Sequence, residues 1–169
     1  MGVKNDGFLY VEALFAIGIM LAVFTAAAVF GSKVFVNAAV EYEAAKLIGD
    51  LRYVQEISRS SLYPRDKIFN SIKPKKSGHF TVKVYKNKYV ISHSVMGVYK
   101  ETTHRAVLNT TYSPTTNFSG LYGGIYFLRN GDVKTIGTVR IESKFAGVKA
   151  KRYVIIDKSG RIRMDRTPP

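Results

Sequence analysis

The 169-residue chain is expected to fold as an α+β protein in which one long N-terminal helix packs on a C-terminal antiparallel β-sheet. Three observations predict this. Phe8 to Ser32 is almost wholly apolar, the stretch up to Leu62 carries apolar side chains at three- and four-residue spacing, and beyond Ile72 the pattern switches to period two, broken by turn residues. A chain of this length supports one core rather than two domains. It contains no Cys, so neither a disulfide framework nor a thiolate metal site can form.

A mean hydropathy near zero hides an uneven distribution. Residues 33–169 hold 25 of the 26 Lys and Arg and 10 of the 12 Asp and Glu, a net charge of +15. An apolar front thus precedes a strongly basic body. As a helix, Phe8 to Ser32 would be about 37 Å long, more than the roughly 30 Å of a hydrocarbon core, and we expect it to insert in a membrane. The core helix of a globular protein would show a polar face, whereas this stretch is apolar all round except at Glu12.

Glu12 is the anomaly. A carboxylate at the centre of a bilayer costs on the order of 3 kcal/mol, so it needs a partner. The segment offers none, which leaves the chain terminus or another subunit. Upstream lies only Met1 to Gly7, a short polar leader ending in glycine. A conventional secretory signal, with Ala26, Ala27 and Ala28 as the small-residue cleavage site, would free a mature chain starting near Val29. Against it stand the length of the apolar run, the acid inside it and the barely basic leader.

After Gly31 and Ser32, apolar Val40, Ala44, Leu47, Ile48, Leu51, Val54, Ile57 and Leu62 recur with Glu41, Glu43, Lys46, Asp50, Arg52, Glu56 and Arg59 between them. The helix is therefore expected to continue as an amphipathic one and to stop before Pro64, because a residue preceding proline avoids the helical region. Gly31 and Gly49 are weak points costing about 1 kcal/mol each relative to Ala.

Alternation from His79 to Tyr85, a turn at Lys86 to Lys88 and a return over Tyr89 to Val95 predict a hairpin. Ile125 to Leu128 and Val133 to Ile136, joined through Asn130-Gly131, predict a second. Thr138 to Glu142, Arg152 to Asp157 and, after the Lys158-Ser159-Gly160 turn, Arg161 to Met164 complete an antiparallel sheet of roughly five to seven strands. Asn109 to Gly124, rich in Thr, Ser, Asn and Gly, is expected to be a long exposed loop.

Gly7, Phe8, the acid Glu12 as the fifth residue after the glycine, and the following apolar run together resemble the class III signal of type IV prepilins and pseudopilins. The resemblance implies the pilin fold, cleavage between Gly7 and Phe8 by a prepilin peptidase, and N-methylation of Phe8. It also implies that the Glu12 carboxylate pairs with the terminal amine of a neighbouring subunit during filament assembly on an inner-membrane platform. Leu9-Tyr10-Val11 and a leader with Lys4 as its lone cation depart from the commonest form, so the positive-inside rule signals orientation weakly. The resulting organisation is a leader over 1–7, a membrane or filament-core helix over 8–32, its amphipathic continuation over 33–62 and a β-sheet domain over 63–169. We expect the last outside the cytoplasm.

The body narrows the resemblance. Asp50-Leu51-Arg52-Tyr53-Val54-Gln55, Ile125-Tyr126-Phe127 followed by Gly131, Gly137-Thr138-Val139-Arg140-Ile141, and Tyr153-Val154-Ile155-Ile156 followed by Gly160-Arg161-Ile162-Arg163 are similar to the GspH/FimT family. This family comprises minor pseudopilin H of type II secretion and the T-type minor pilins. Some T-type members bind double-stranded DNA in natural competence through a Gly-Arg-x-Arg element near the C-terminus, which Gly160, Arg161 and Arg163 match. Strand alternation would place Arg161 and Arg163 on one face and Ile162 and Met164 on the other. Lys158 and Arg166 add charge, while Lys83, Lys86, Lys88 and Tyr89, and Lys149, Lys151 and Arg152, are expected to extend the patch. The alternative is a solvated final strand on a structural secretion pseudopilin.

His79, His93 and His104 have neither the spacing nor the carboxylate partners of a zinc site, and no Gly-x-Ser-x-Gly, P-loop or HExxH motif occurs. The expectation is a subunit without catalysis and without a cofactor.

Overall fold

The computed structural model describes residues 6–60, 80–95, 98–107, 109–114, 124–128, 131–133 and 136–168. Helix α1 spans Asp6–Ser60. Eight strands follow among the described residues: β1 Phe80–Tyr85, β2 Lys88–Val95, β3 Val98–Arg105, β4 Thr110–Pro114, β5 Ile125–Phe127, β6 Gly137–Phe145, β7 Val148–Ile156 and β8 Ile162–Asp165. They form two antiparallel four-stranded sheets, one in the order β3-β2-β1-β5 and the other β4-β6-β7-β8. The architecture is the α+β arrangement expected, with two sheets where one had been foreseen.

The chain divides into two compact units, residues 1–35 and 36–169. In the second, the helix buries Val36, Ala39, Val40, Glu43, Ala44, Leu47, Leu51, Val54 and Ser58. Steps of three and four residues keep these positions on one stripe, which faces a single core shared by both sheets. Val82, Ile91, Ile125 and Phe127 enter that core from the first sheet, and Tyr112, Val139, Ile141, Val154, Ile156 and Ile162 from the second. Gly31 and Gly49 lie within the unbroken helix, and a Cβ at either would meet nothing within 4 Å.

The first hairpin forms as expected, with Tyr85 opposite Lys88. Of the second, the described residues show the Leu128 N–H bonding to the Asp132 carbonyl at 2.8 Å and an isolated bridge between Phe127 and Val133, while residues 129, 130, 134 and 135 lie outside the described residues. The exposed loop foreseen over Asn109 to Gly124 is corrected in part, since Thr110–Pro114 is strand β4 with Thr110 and Tyr112 buried. Strand β3 was likewise not foreseen. Residues 1–5, 61–79 and 115–123 lie outside the described residues, and with them most of the leader, the stop before Pro64, His79 and the rest of that loop.

Gln55 joins the helix to two turns. Its side-chain amide donates to the Gly131 carbonyl at 2.7 Å and to the Gly160 carbonyl at 2.9 Å. Gly160 has a φ of 76°, and a Cβ there would stand 2.4 Å from the Gly131 oxygen and 2.5 Å from Gln55 Nε2. Gly160→Ala is therefore expected to destabilise the fold by about 2 kcal/mol or more, read as a lower denaturant midpoint with full-length protein in detergent micelles. Gly131→Ala should cost less, because its φ of 84° imposes similar strain but the atoms its Cβ would meet belong to the long Arg59 side chain, which can swing aside.

Candidate functional site

The first unit presents its apolar side chains outward. Phe8, Phe15, Phe24 and Phe30 are each about seven-tenths exposed within the chain. A contiguous apolar surface of this extent calls for lipid or protein around it, and α1 is long and apolar enough, by length and composition, to cross a membrane. Glu12 is exposed on this rod and forms no ion pair or hydrogen bond with any described residue. The Gly7–Phe8 bond lies in the first turn of α1.

In the second unit, β8 is an edge strand of its sheet. The Gly160 N–H donates to the Asp157 carbonyl at 2.9 Å and the Asp157 N–H to the Arg161 carbonyl at 3.0 Å, closing the turn that delivers β8. Ile162 is buried opposite Ile156, whereas Arg163, opposite Ile155, is exposed, as are Arg161, Lys158 and Arg166. Arg161, Arg163 and Arg166 make no ion pair with a described carboxylate. Lys151 is exposed on β7 opposite Glu142. Met164, expected on the same face as Ile162, is 44% exposed while Ile162 is buried.

Lys83, Lys86 and Lys88 leave this patch because they lie on β1, in the turn after it and on β2, in the other sheet, and three further expected members are taken up within the fold. Arg152 is half-buried and ion-paired with Glu41 of the helix while its Nη1 donates to the Lys151 carbonyl at 2.8 Å. The hydrogen bond and charge of Arg152, with help from Arg166, hold the Glu41 carboxyl below its ordinary range. Gly160 is buried and its carbonyl is taken by Gln55, so it shapes the turn and does not face solvent. Tyr89 is fully buried in the core.

The polar cluster that sequence reasoning missed is centred on Glu43, which is fully buried. Its Oε1 accepts the Val107 N–H at 2.8 Å, and its Oε2 accepts the Tyr112 hydroxyl and faces His104 Nε2 at 3.0 Å. His104 belongs to the edge strand of the first sheet and Tyr112 to the edge strand of the second, so one carboxylate ties the helix to both sheets. Tyr89 fills the gap beside them, with its ring centroid 4.9 Å from His104 and 5.6 Å edge-on from Tyr112, and its hydroxyl donates to Asp50. Burial, then the bonds to Asp50 and Glu43 respectively, push the Tyr89 and Tyr112 phenols well above their usual range, so both remain donors. His104 thus has the carboxylate partner its sequence context had not indicated. No group of three or more metal-ligating side chains occurs among the described residues.

The segments singled out for resemblance meet in space. Gln55 from the late-helix segment reaches Gly131 and Gly160 from two others. No protein-family model, curated protein or solved structure matches the chain.

Proposed function

We propose that the chain is a prepilin-like subunit that matures by cleavage after Gly7 and assembles through its apolar helix into a pilus or pseudopilus. The observation that carries this reading is Glu12, the one charged residue between Phe8 and Ser32, without a described partner on an exposed apolar rod, five positions beyond Gly7. A charge so placed is stable in a low-dielectric bundle only if another subunit supplies the opposite charge. The new amino terminus created by cleavage at Gly7 is that charge. Mass spectrometry of the mature protein should find a chain beginning at N-methylated Phe8. A chain beginning near Val29, or at Met1, contradicts the reading.

Within this class we favour a minor subunit, anchored by one span with its basic domain outside the cytoplasm, that grips duplex DNA along the β8 edge. Arg161, Arg163, Lys158, Arg166 and Lys151 supply exposed positive charge there, and neutralised phosphates dominate nonspecific affinity for DNA. The full-length protein in zwitterionic detergent micelles should bind duplex DNA with an affinity that falls steeply with salt. Arg161→Ala with Arg163→Ala should weaken it several-fold and flatten the salt dependence by about two phosphate contacts. A second reading, a structural pseudopilin with no nucleic-acid role, draws on the burial of Gly160 and the pairing of Arg152, which give those two residues work within the fold. Salt-insensitive or absent duplex binding selects it.

A further inference from the structure

The register of the first sheet places Tyr85, Lys88 and Arg105 in direct cross-strand succession on β1, β2 and β3, hence on one face. It is the face opposite the one that sends Val82, Tyr89 and Ile91 into the core. Directly paired side chains stand about 5 Å apart at Cβ, and Lys83, two residues before Tyr85, adds a fourth member about 7 Å along β1. Lys86 sits beside them in the turn. Tyr85 is 46% exposed, and Lys88 Nζ lies 5.4 Å from its ring centroid. None of Lys83, Lys86, Lys88 and Arg105 is ion-paired with a described carboxylate. The acid described on this face, Glu101, pairs in register with Ser92, four residues from Arg105 or about 13 Å along β3.

The backbone beneath the row is held in place. The Ala106 N–H donates to the Asn87 carbonyl at 2.9 Å and the Tyr112 N–H to the Lys86 carbonyl at 2.8 Å, so the turn is tied to both neighbouring segments. An exposed aromatic ring set among unneutralised cations on a rigid sheet combines two features. The cations attract phosphates, and the ring offers a stacking surface to any base not already paired. Duplex DNA presents no free base face, so the ring adds nothing for it. We propose that this row is a single-strand nucleic-acid platform, in which Tyr85 stacks an unpaired base while Lys88, Arg105, Lys83 and Lys86 neutralise the flanking phosphates. The site lies on the other sheet from β8 and does not depend on the reading of Arg161 and Arg163.

The test is fluorescence anisotropy of a labelled oligothymidylate with the full-length protein in zwitterionic micelles, alongside long-chain inorganic polyphosphate, which has the charge but no bases. Tyr85→Ala should weaken oligothymidylate binding about 10-fold and leave polyphosphate binding unchanged, and Tyr85→Phe should restore the former. Lys88→Ala with Arg105→Ala should weaken both ligands and flatten the logarithmic salt slope for the oligonucleotide by about 1.4. Each of these side chains is at the surface, so unchanged melting temperatures will accompany the losses. The proposal is overturned if oligothymidylate fails to bind, if its binding ignores Tyr85→Ala, or if Arg161→Ala with Arg163→Ala removes it to the same extent. Loss of duplex binding in that last variant, with oligothymidylate retained, supports two separate sites.

Discussion

Glu43→Ala is expected to lower the stability of residues 36–169 by about 3 to 5 kcal/mol, the largest loss we foresee for a single side chain in this unit. The substitution opens a cavity at a fully buried side chain and leaves the buried Tyr112 hydroxyl and the part-buried Val107 N–H and His104 Nε2 without their partner. A buried donor without an acceptor costs about 1 to 3 kcal/mol, and those stranded here belong to elements of both sheets. Thermal unfolding of the full-length protein in micelles should show the midpoint falling by about 10 °C or more. Glu43→Gln keeps the volume and one acceptor oxygen but turns an N–H₂ toward donors, so a smaller loss of about 1 to 2 kcal/mol is expected. Amide exchange at Val107 should rise in both variants. A midpoint within a degree or two of the parent protein would show that the helix and the two sheets do not rely on this carboxylate.

Glu12→Ala should act in the opposite sense on two measurable properties. Removing the carboxylate relieves an insertion cost on the order of 3 kcal/mol, so the protein should reach the membrane at least as well as before. On the proposed reading, assembly should fall by at least about 10-fold, since one unmet charge pair in a low-dielectric bundle would be worth more than the 1.4 kcal/mol that a factor of ten requires. Immunoblots of sheared filaments against the membrane fraction measure both quantities in one experiment. Glu12→Asp retains the charge on a shorter arm and should be intermediate. Normal incorporation of Glu12→Ala would refute the assignment of Glu12 to subunit pairing, whatever the fate of the leader.

The helix was legible because both of its signals are local. An apolar run and a three-four spacing need no knowledge of the partner, and Val40, Ala44, Leu47, Leu51 and Val54 are buried as their spacing requires. The same spacing also held the information that Glu43 is buried, since it lies three residues after Val40 and four before Leu47. Residue type overrode phase in our reading, because a lone acid is usually solvated and its three donors come from segments more than sixty positions away. The division into two sheets was not legible. Period two marks a strand but does not say which strand it pairs with, and β4 and β5, adjacent in the chain, join different sheets. At the β8 edge, exposure of Arg161 and Arg163 followed from alternation, whereas the withdrawal of Arg152 depended on Glu41, far upstream.

The two-pronged grip of Gln55 has an evolutionary corollary. One carboxamide holds the carbonyls of Gly131 and Gly160 at once, so neither position can shift its backbone unless the other follows. In any homologous chain the residues at positions 131 and 160 should covary, and position 55 should tolerate little besides glutamine, because asparagine falls one methylene short and glutamate offers no proton to either carbonyl.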